Sequence, residues 1–185
     1  MKFPKWIKQF LIVTVSYIAA DFLTRVLLPF TEVSIGAEPT FAASLLFFPH
    51  GVRVLSAWAF GWRSLPFLLP VTYLSNYLNF GADGFQIENI LAASFGVTCA
   101  ILSFWFLALI GLDFRLGRAR DENWKNIALV GCFASMLNSA GKSYFYGNPP
   151  FIGASLFFGD VAGMLATMLI LMLAFRWYRL RNIER

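Results

Sequence analysis

The sequence predicts an all-α integral membrane protein: a polytopic bundle of about six transmembrane helices with both ends on the cytoplasmic side. Three observations predict it. Of 185 residues, 58% are hydrophobic and only 14% are charged, whereas soluble domains carry about a quarter charged residues. That leaves too little polar surface to cover a water-facing globule. Apolar stretches recur along the whole chain at lengths that suit a hydrocarbon core about 30 Å thick, which takes roughly 20 helical residues to cross. The basic residues fall on alternate sides of these stretches, as expected when positive charge stays on the cytoplasmic side.

The first span is expected over 9–30, behind Lys2, Lys5 and Lys8. A basic start before an apolar run also opens secretory signals, and Ser34-Ile35-Gly36 has the small residues of a cleavage point. The run is too long for that, however, and contains Asp21 and Arg25, so it is read as a retained helix. Spans two and three, 41–61 and 65–80, are separated only by Gly61-Trp62-Arg63-Ser64 and carry Pro49, Pro66 and Pro70. Proline is tolerated in membrane helices where neighbours satisfy the freed backbone groups. The same prolines fit a re-entrant segment, so 41–80 is either two full spans or partly re-entrant. Spans four to six are expected at 88–112, 126–146 and 151–175, giving one membrane domain over 1–185.

Orientation follows from the connecting segments. Arg63 lies after span two; Arg115, Arg118, Arg120 and Lys125 follow span four; Arg176, Arg179, Arg181 and Arg185 follow span six. With six spans these all share the side of the N-terminal lysines. The opposite loops, 31–40, 81–87 and 147–150, hold no Lys or Arg but do hold Glu32, Glu38 and Asp83. Trp6, Trp62, Trp124 and Trp177 fall at the same cytoplasmic boundary, where amphipathic rings settle. The pI near 9.5 and the net charge of +5 therefore read as topology and lipid-headgroup signals, not as a nucleic-acid footprint. The expected location is a bacterial inner membrane, with the bilayer as the first partner.

Six ionisable residues lie inside the predicted spans: Asp21, Arg25, His50, Arg53, Lys142 and Asp160. A charge at the bilayer centre costs at least about 2.5–3.5 kcal/mol, so such groups turn into the bundle and find partners. Helical spacing agrees. Thr14, Tyr17, Asp21, Thr24 and Arg25 share a face of span one, and Asp21 and Arg25 stand at a spacing that allows pairing within the helix. His50 and Arg53 follow Pro49. Thr72, Ser75, Asn76 and Asn79 form a stripe on span three; Ser135, Asn138, Ser139 and Lys142 form one on span five; Asp160, Gly163 and Thr167 align on span six. Hydroxyl and amide stripes are most simply read as helix packing. The ionisable set is read as a site. The candidate ligand-binding residues are Asp21, Arg25, His50, Arg53, Asn76, Asn138, Lys142 and Asp160. Their positions place a polar cavity toward the outer side, and the surplus of cations favours a small anionic ligand.

No other chemistry is legible. His50 has no second histidine or cysteine spaced to hold a metal or haem with it. Cys99 and Cys132 read as buried free thiols. No phosphate-binding loop, nucleophile elbow or zinc-protease motif is present, so neither an enzyme nor a cofactor is expected. Gly159-x-x-x-Gly163 and Ala92-x-x-x-Gly96 allow close backbone approach, expected within the bundle and not between copies.

One family resemblance adds to this reading. Phe47-Phe48-Pro49-His50-Gly51-Val52-Arg53, then Gly61-Trp62-Arg63, and later Gly159-Asp160-Val161-Ala162-Gly163, resemble the MASE1 family of bacterial membrane sensor domains over much of 41–174. The resemblance implies a sensory bundle and carries Pro49, Gly51, Arg53, Asp160 and Gly163 as its matching positions. Phe47 stands where tryptophan is commoner in that family. Its members also have more spans and precede a cytoplasmic signalling module, whereas this sequence ends soon after its last span. The expected function is a MASE1-like ligand-binding module that signals through a separate cytoplasmic or membrane partner protein, with the basic tail 176–185 as a docking candidate. A substrate-binding subunit of a small-solute transporter and a structural subunit of a larger membrane complex stay open beside it.

Overall fold

A computed structural model of the chain describes residues 4–33, 43–44, 46–118, 123–147 and 149–183, with side chains described for all of these except 28–33, 43–44 and 183. Ser34, Ile35, Gly36, Glu38, Arg120 and Arg185 lie outside the described residues, as does the side chain of Glu32. The described chain is helical: α1 (Lys5–Thr31), α2 (Phe48–Phe60), α3 (Leu65–Phe80), α4 (Ile87–Leu109), α5 (Trp124–Tyr146) and α6 (Pro150–Ile183). The extended pairing among the described residues is two residues long, with Glu32 opposite Ser44 and Val33 opposite Ala43.

Three of the helices, α1, α4 and α6, are long and apolar enough to cross a membrane. The protein is therefore membrane-embedded and all-helical. The outward faces of α1 and α6 fit a hydrocarbon environment, with Leu11, Val15, Ile18 and Phe22 exposed on one and Leu165, Leu169 and Leu173 on the other.

The predicted segments each contain a helix, but two lengths differ from expectation. The segment expected to start span two at residue 41 becomes helical only at Phe48. Leu46 and Phe47 precede it in non-helical conformation, and Pro49 stands in the first turn, where its missing N–H forfeits no helical bond. With 13 residues, α2 is about 20 Å long, and α3, with 16, about 24 Å; both fall short of a hydrocarbon core of about 30 Å. They are joined by a 3₁₀ turn, Gly61–Ser64, where Gly61 takes a positive φ of 56° and Ser64 Oγ donates to the Gly61 carbonyl at 2.7 Å. Helix α6 runs past the expected end of the span at Phe175 to Ile183, so its 34 residues reach about 51 Å and carry Arg176, Arg179 and Arg181 as continuous helix.

Short as it is, α2 is the centre of the bundle. It packs against α6, α1, α4 and α5, and Phe48 through Val54, with Ser56 and Ala57, are buried. One apolar cluster joins Val54 and Ala57 to Ala100, Phe104, Val130 and Met164; a second joins Phe48 and Val52 to Val13, Leu68 and Val97. The glycine pair of α6 receives the chain entering α2. The Phe47 N–H donates to the Gly159 carbonyl at 3.0 Å. A Cβ on Gly163 would stand 2.3 Å from the Phe47 carbonyl carbon. The motif thus serves packing within the chain, against the non-helical backbone that leads into α2.

Candidate functional site

Because α2 starts deep in the bundle, its first turns carry polar side chains into the interior. Thr24 of α1 caps the start, its Oγ accepting from the Phe48 N–H at 3.1 Å and donating to the Ala20 carbonyl at 3.0 Å. The next residues place His50 and Arg53 where α5 and α6 present Asn138 and Asp160. Relative exposures are 0% for His50, 3% for Arg53, 0% for Asn138 and 2% for Asp160.

Asn138 Nδ2 donates to Asp160 Oδ2 at 2.6 Å. His50 Nδ1 stands 3.6 Å from the same oxygen, and His50 Nε2 is 3.2 Å from the Gly131 carbonyl. A carbonyl only accepts, so Nε2 carries a proton. A neutral imidazole then turns its Nδ1 lone pair toward Asp160. A hydrogen bond across that gap needs a second proton, on either the ring or the carboxyl.

Arg53 is held by aromatic groups. Its Nη2 donates to the Tyr17 hydroxyl at 2.7 Å, and its guanidinium carbon lies 5.6 Å from the Tyr17 ring centre and 5.5 Å from that of Phe47. Lys142, half-buried, places Nζ 5.1 Å from the same Phe47 ring. Neither cation has a carboxylate within ion-pair distance among the described residues. Arg53 Nε and Nη1, His50 Nδ1 and Asn138 Oδ1 are buried without hydrogen-bond partners there. Gly96 of α4 leaves room for two of these atoms: a Cβ on it would lie 2.9 Å from both Arg53 Nη1 and Asn138 Oδ1.

Five of the eight residues singled out from sequence therefore converge: His50, Arg53, Asn138, Lys142 and Asp160. The other three do not join them. Asp21 and Arg25 form an ion pair with each other along α1, with Arg25 Nε donating to Asp21 Oδ2 at 3.0 Å, and the Arg25 side chain is 37% exposed. Asn76 lies where α3 meets α4, donating to the Asn89 carbonyl at 3.3 Å, and Asn89 in turn accepts from the Tyr146 hydroxyl at 2.7 Å. Tyr17, Phe47 and Gly96 belong to the site although sequence reasoning did not select them. Tyr17 was readable from its place on the α1 stripe. Phe47, one of 21 phenylalanines, stood out only as the position where the resembling family more often has tryptophan. Among the described residues no group of three or more His, Cys, Asp or Glu is placed to hold a metal ion.

Comparison with family models, with curated proteins and with solved structures finds no match to this chain. The site has to be interpreted from its own chemistry.

Proposed function

We propose that the protein is a membrane-embedded ligand-binding module of the MASE1-like sensory kind, which takes a small anion onto Arg53 and Lys142 and signals to a separate partner. The charge balance of the interior carries this reading. Asp21 and Arg25 satisfy each other, leaving Arg53 and Lys142 to face Asp160 alone. A buried cation without a counter-charge costs several kcal/mol. An anion bearing acceptor oxygens would meet the unpartnered Arg53 Nε and Nη1 and offset that cost. Asp160, held by Asn138, would balance the second cation.

The resemblance gains support from proximity. Pro49, Gly51 and Arg53 lie on α2, which packs against the α6 that carries Asp160 and Gly163, and a Cβ on Gly51 would lie 2.7 Å from Thr167. The proposal includes six crossings with both ends in the cytoplasm. In that arrangement Leu46 and Phe47 lead into the core from the outer side and α2 completes the crossing inward. Helix α6 carries both Asp160 and the basic extension, so a ligand that repacks Asp160 displaces an element ending outside the membrane.

The α2 start supports a second reading. A helix interrupted at membrane depth, with its N-terminus at a charged site, is the arrangement by which many transporters hold anionic groups. A transport subunit and a sensor differ in flux. Titration of the detergent-purified protein with acetate and with inorganic phosphate, followed by thermal unfolding, tests binding: saturable stabilisation by one of them is expected. Absence of stabilisation by either, together with none by longer carboxylates, would sink the anion reading. Uptake of the stabilising anion into vesicles containing the protein and its partners would select transport over sensing.

A further inference from the structure

The N-terminal part of α1 and the C-terminal part of α6 do not close over α2. Between them runs a crevice of about 580 Å³. Its floor includes Ser56 and Ala59 of α2, and its walls include Ser16 and Ala19 of α1 and Ile170 and Leu171 of α6. Ser16 and Ala19 are exposed. These small side chains make the wall low, and the lining is almost wholly apolar. The crevice ends toward Ile12, Phe60 and Phe175, which is the end carrying the basic N-terminus of α1 and the basic extension of α6.

We infer that this crevice is a binding site for one anionic phospholipid, with an acyl chain along α2 and the headgroup on Lys5 and Arg181. Helical periodicity puts these two cations in line with it. On α1, Lys5 falls on the face of Ile12, Ser16, Ala19 and Leu23; on α6, Arg181 falls on the face of Thr167, Ile170 and Leu171. Both residues lie beyond the apolar lining, at headgroup depth. Arg181 is held by Trp177, its guanidinium carbon 4.4 Å from the ring centre, and Trp6 lies exposed beside Lys5. Tryptophan and basic side chains are the usual anchors at that level. A flexible chain fits a narrow groove whose one polar end is positive. This site is separate from the Arg53 cluster and does not depend on the reading proposed for it.

The test is native mass spectrometry of the full chain, delipidated in neutral detergent and titrated with phosphatidylglycerol or phosphatidylcholine of equal chain length. The wild type should retain one phosphatidylglycerol in clear preference to phosphatidylcholine. The double variant Lys5→Gln, Arg181→Gln should lose that preference by roughly 25-fold, as expected for two surface charges. Ser16→Phe, a substitution at an exposed position that places no bulk in the core, should weaken both lipids by filling the groove, and Ala19→Phe should repeat the effect. Equal retention of the two lipids by the wild type would overturn the inference. So would Ser16→Phe and Ala19→Phe proteins that hold lipid as the wild type does, or a dimer without lipid whose formation those two variants abolish.

Discussion

Replacing Arg53 with methionine separates a ligand-binding cation from a structural strut. The change keeps a long, flexible side chain and removes the charge. Three favourable contacts disappear. The charged hydrogen bond to the Tyr17 hydroxyl, at 2.7 Å, is worth about 1.5–3 kcal/mol. The two aromatic rings near 5.5 and 5.6 Å contribute about 0.5–2 kcal/mol each. Against this stands the cost of a buried guanidinium with no carboxylate and two unpartnered nitrogens, and replacing buried charge by apolar groups of similar volume commonly gains about 1–4 kcal/mol. At mid-range the losses exceed the gain by about 2 kcal/mol. For a chain of this size 1 kcal/mol moves Tm by about 2–4 °C, so the ligand-free Arg53→Met protein should unfold within roughly 8 °C of the wild type. It should also lose the stabilisation that an added small anion gives the wild type. Thermal unfolding of both proteins in mild detergent, followed by tryptophan fluorescence, reads both effects. A ligand-free Tm lowered by 15 °C or more would exceed this allowance (about four to eight kcal/mol) and would show that Arg53 serves as a strut of the bundle, as in a structural subunit.

Three further outcomes follow from the same geometry. Asp160→Asn takes away the carboxylate facing the two cations and should destabilise the protein by about 3–5 kcal/mol; saturating acetate should recover part of this loss in the same unfolding assay. Gly163→Ala drives a Cβ to 2.3 Å from the Phe47 backbone, which cannot rotate away, so a loss of about 1–3 kcal/mol is expected from overpacking; an unchanged Tm would refute the close passage of Phe47 over α6. At the end of α4, hydrogen bonds from the Arg115 guanidinium hold the Asp113 carboxyl below its ordinary value of 3.8. A depressed carboxyl pKa stabilises the fold above the unfolded value and loses that contribution as pH falls through the folded value. Asp113→Asn should therefore flatten the acid limb of a stability–pH profile below about 3.8. The effect should stay under about 1 kcal/mol, because both partners are near one-third exposed.

Hydropathy located the helices because burial in lipid demands apolar runs, and it located them where the structure has them. It misplaced the start of α2 because the residues before Phe48 are as apolar as those after it, and composition does not distinguish a non-helical segment tucked against α6 from another helical turn. The expected sixth span stops at Phe175, where the apolar run gives way to basic residues, and the helix itself continues to Ile183. Within the site, helical spacing was informative where partners share a helix, as for Asp21 and Arg25. Spacing also put His50, Arg53, Lys142 and Asp160 on inward faces, but depth across different helices is not written in any one of them, so Asn76 was grouped with residues that it does not reach. Gly96 was readable as a close-contact residue; that it makes room for the Arg53 guanidinium needs the third dimension. Phe47 was marked only through the family resemblance, because an aromatic ring against two cations has the same letter as one facing lipid.

The most direct test is to purify the protein gently from membranes, release whatever it holds and identify the small molecules by mass spectrometry, for the wild type beside Arg53→Met. An anionic molecule, at up to one per chain, should be recovered from the wild type and be missing from the folded Arg53→Met protein. The same molecule recovered equally from both would contradict an anion site built on Arg53.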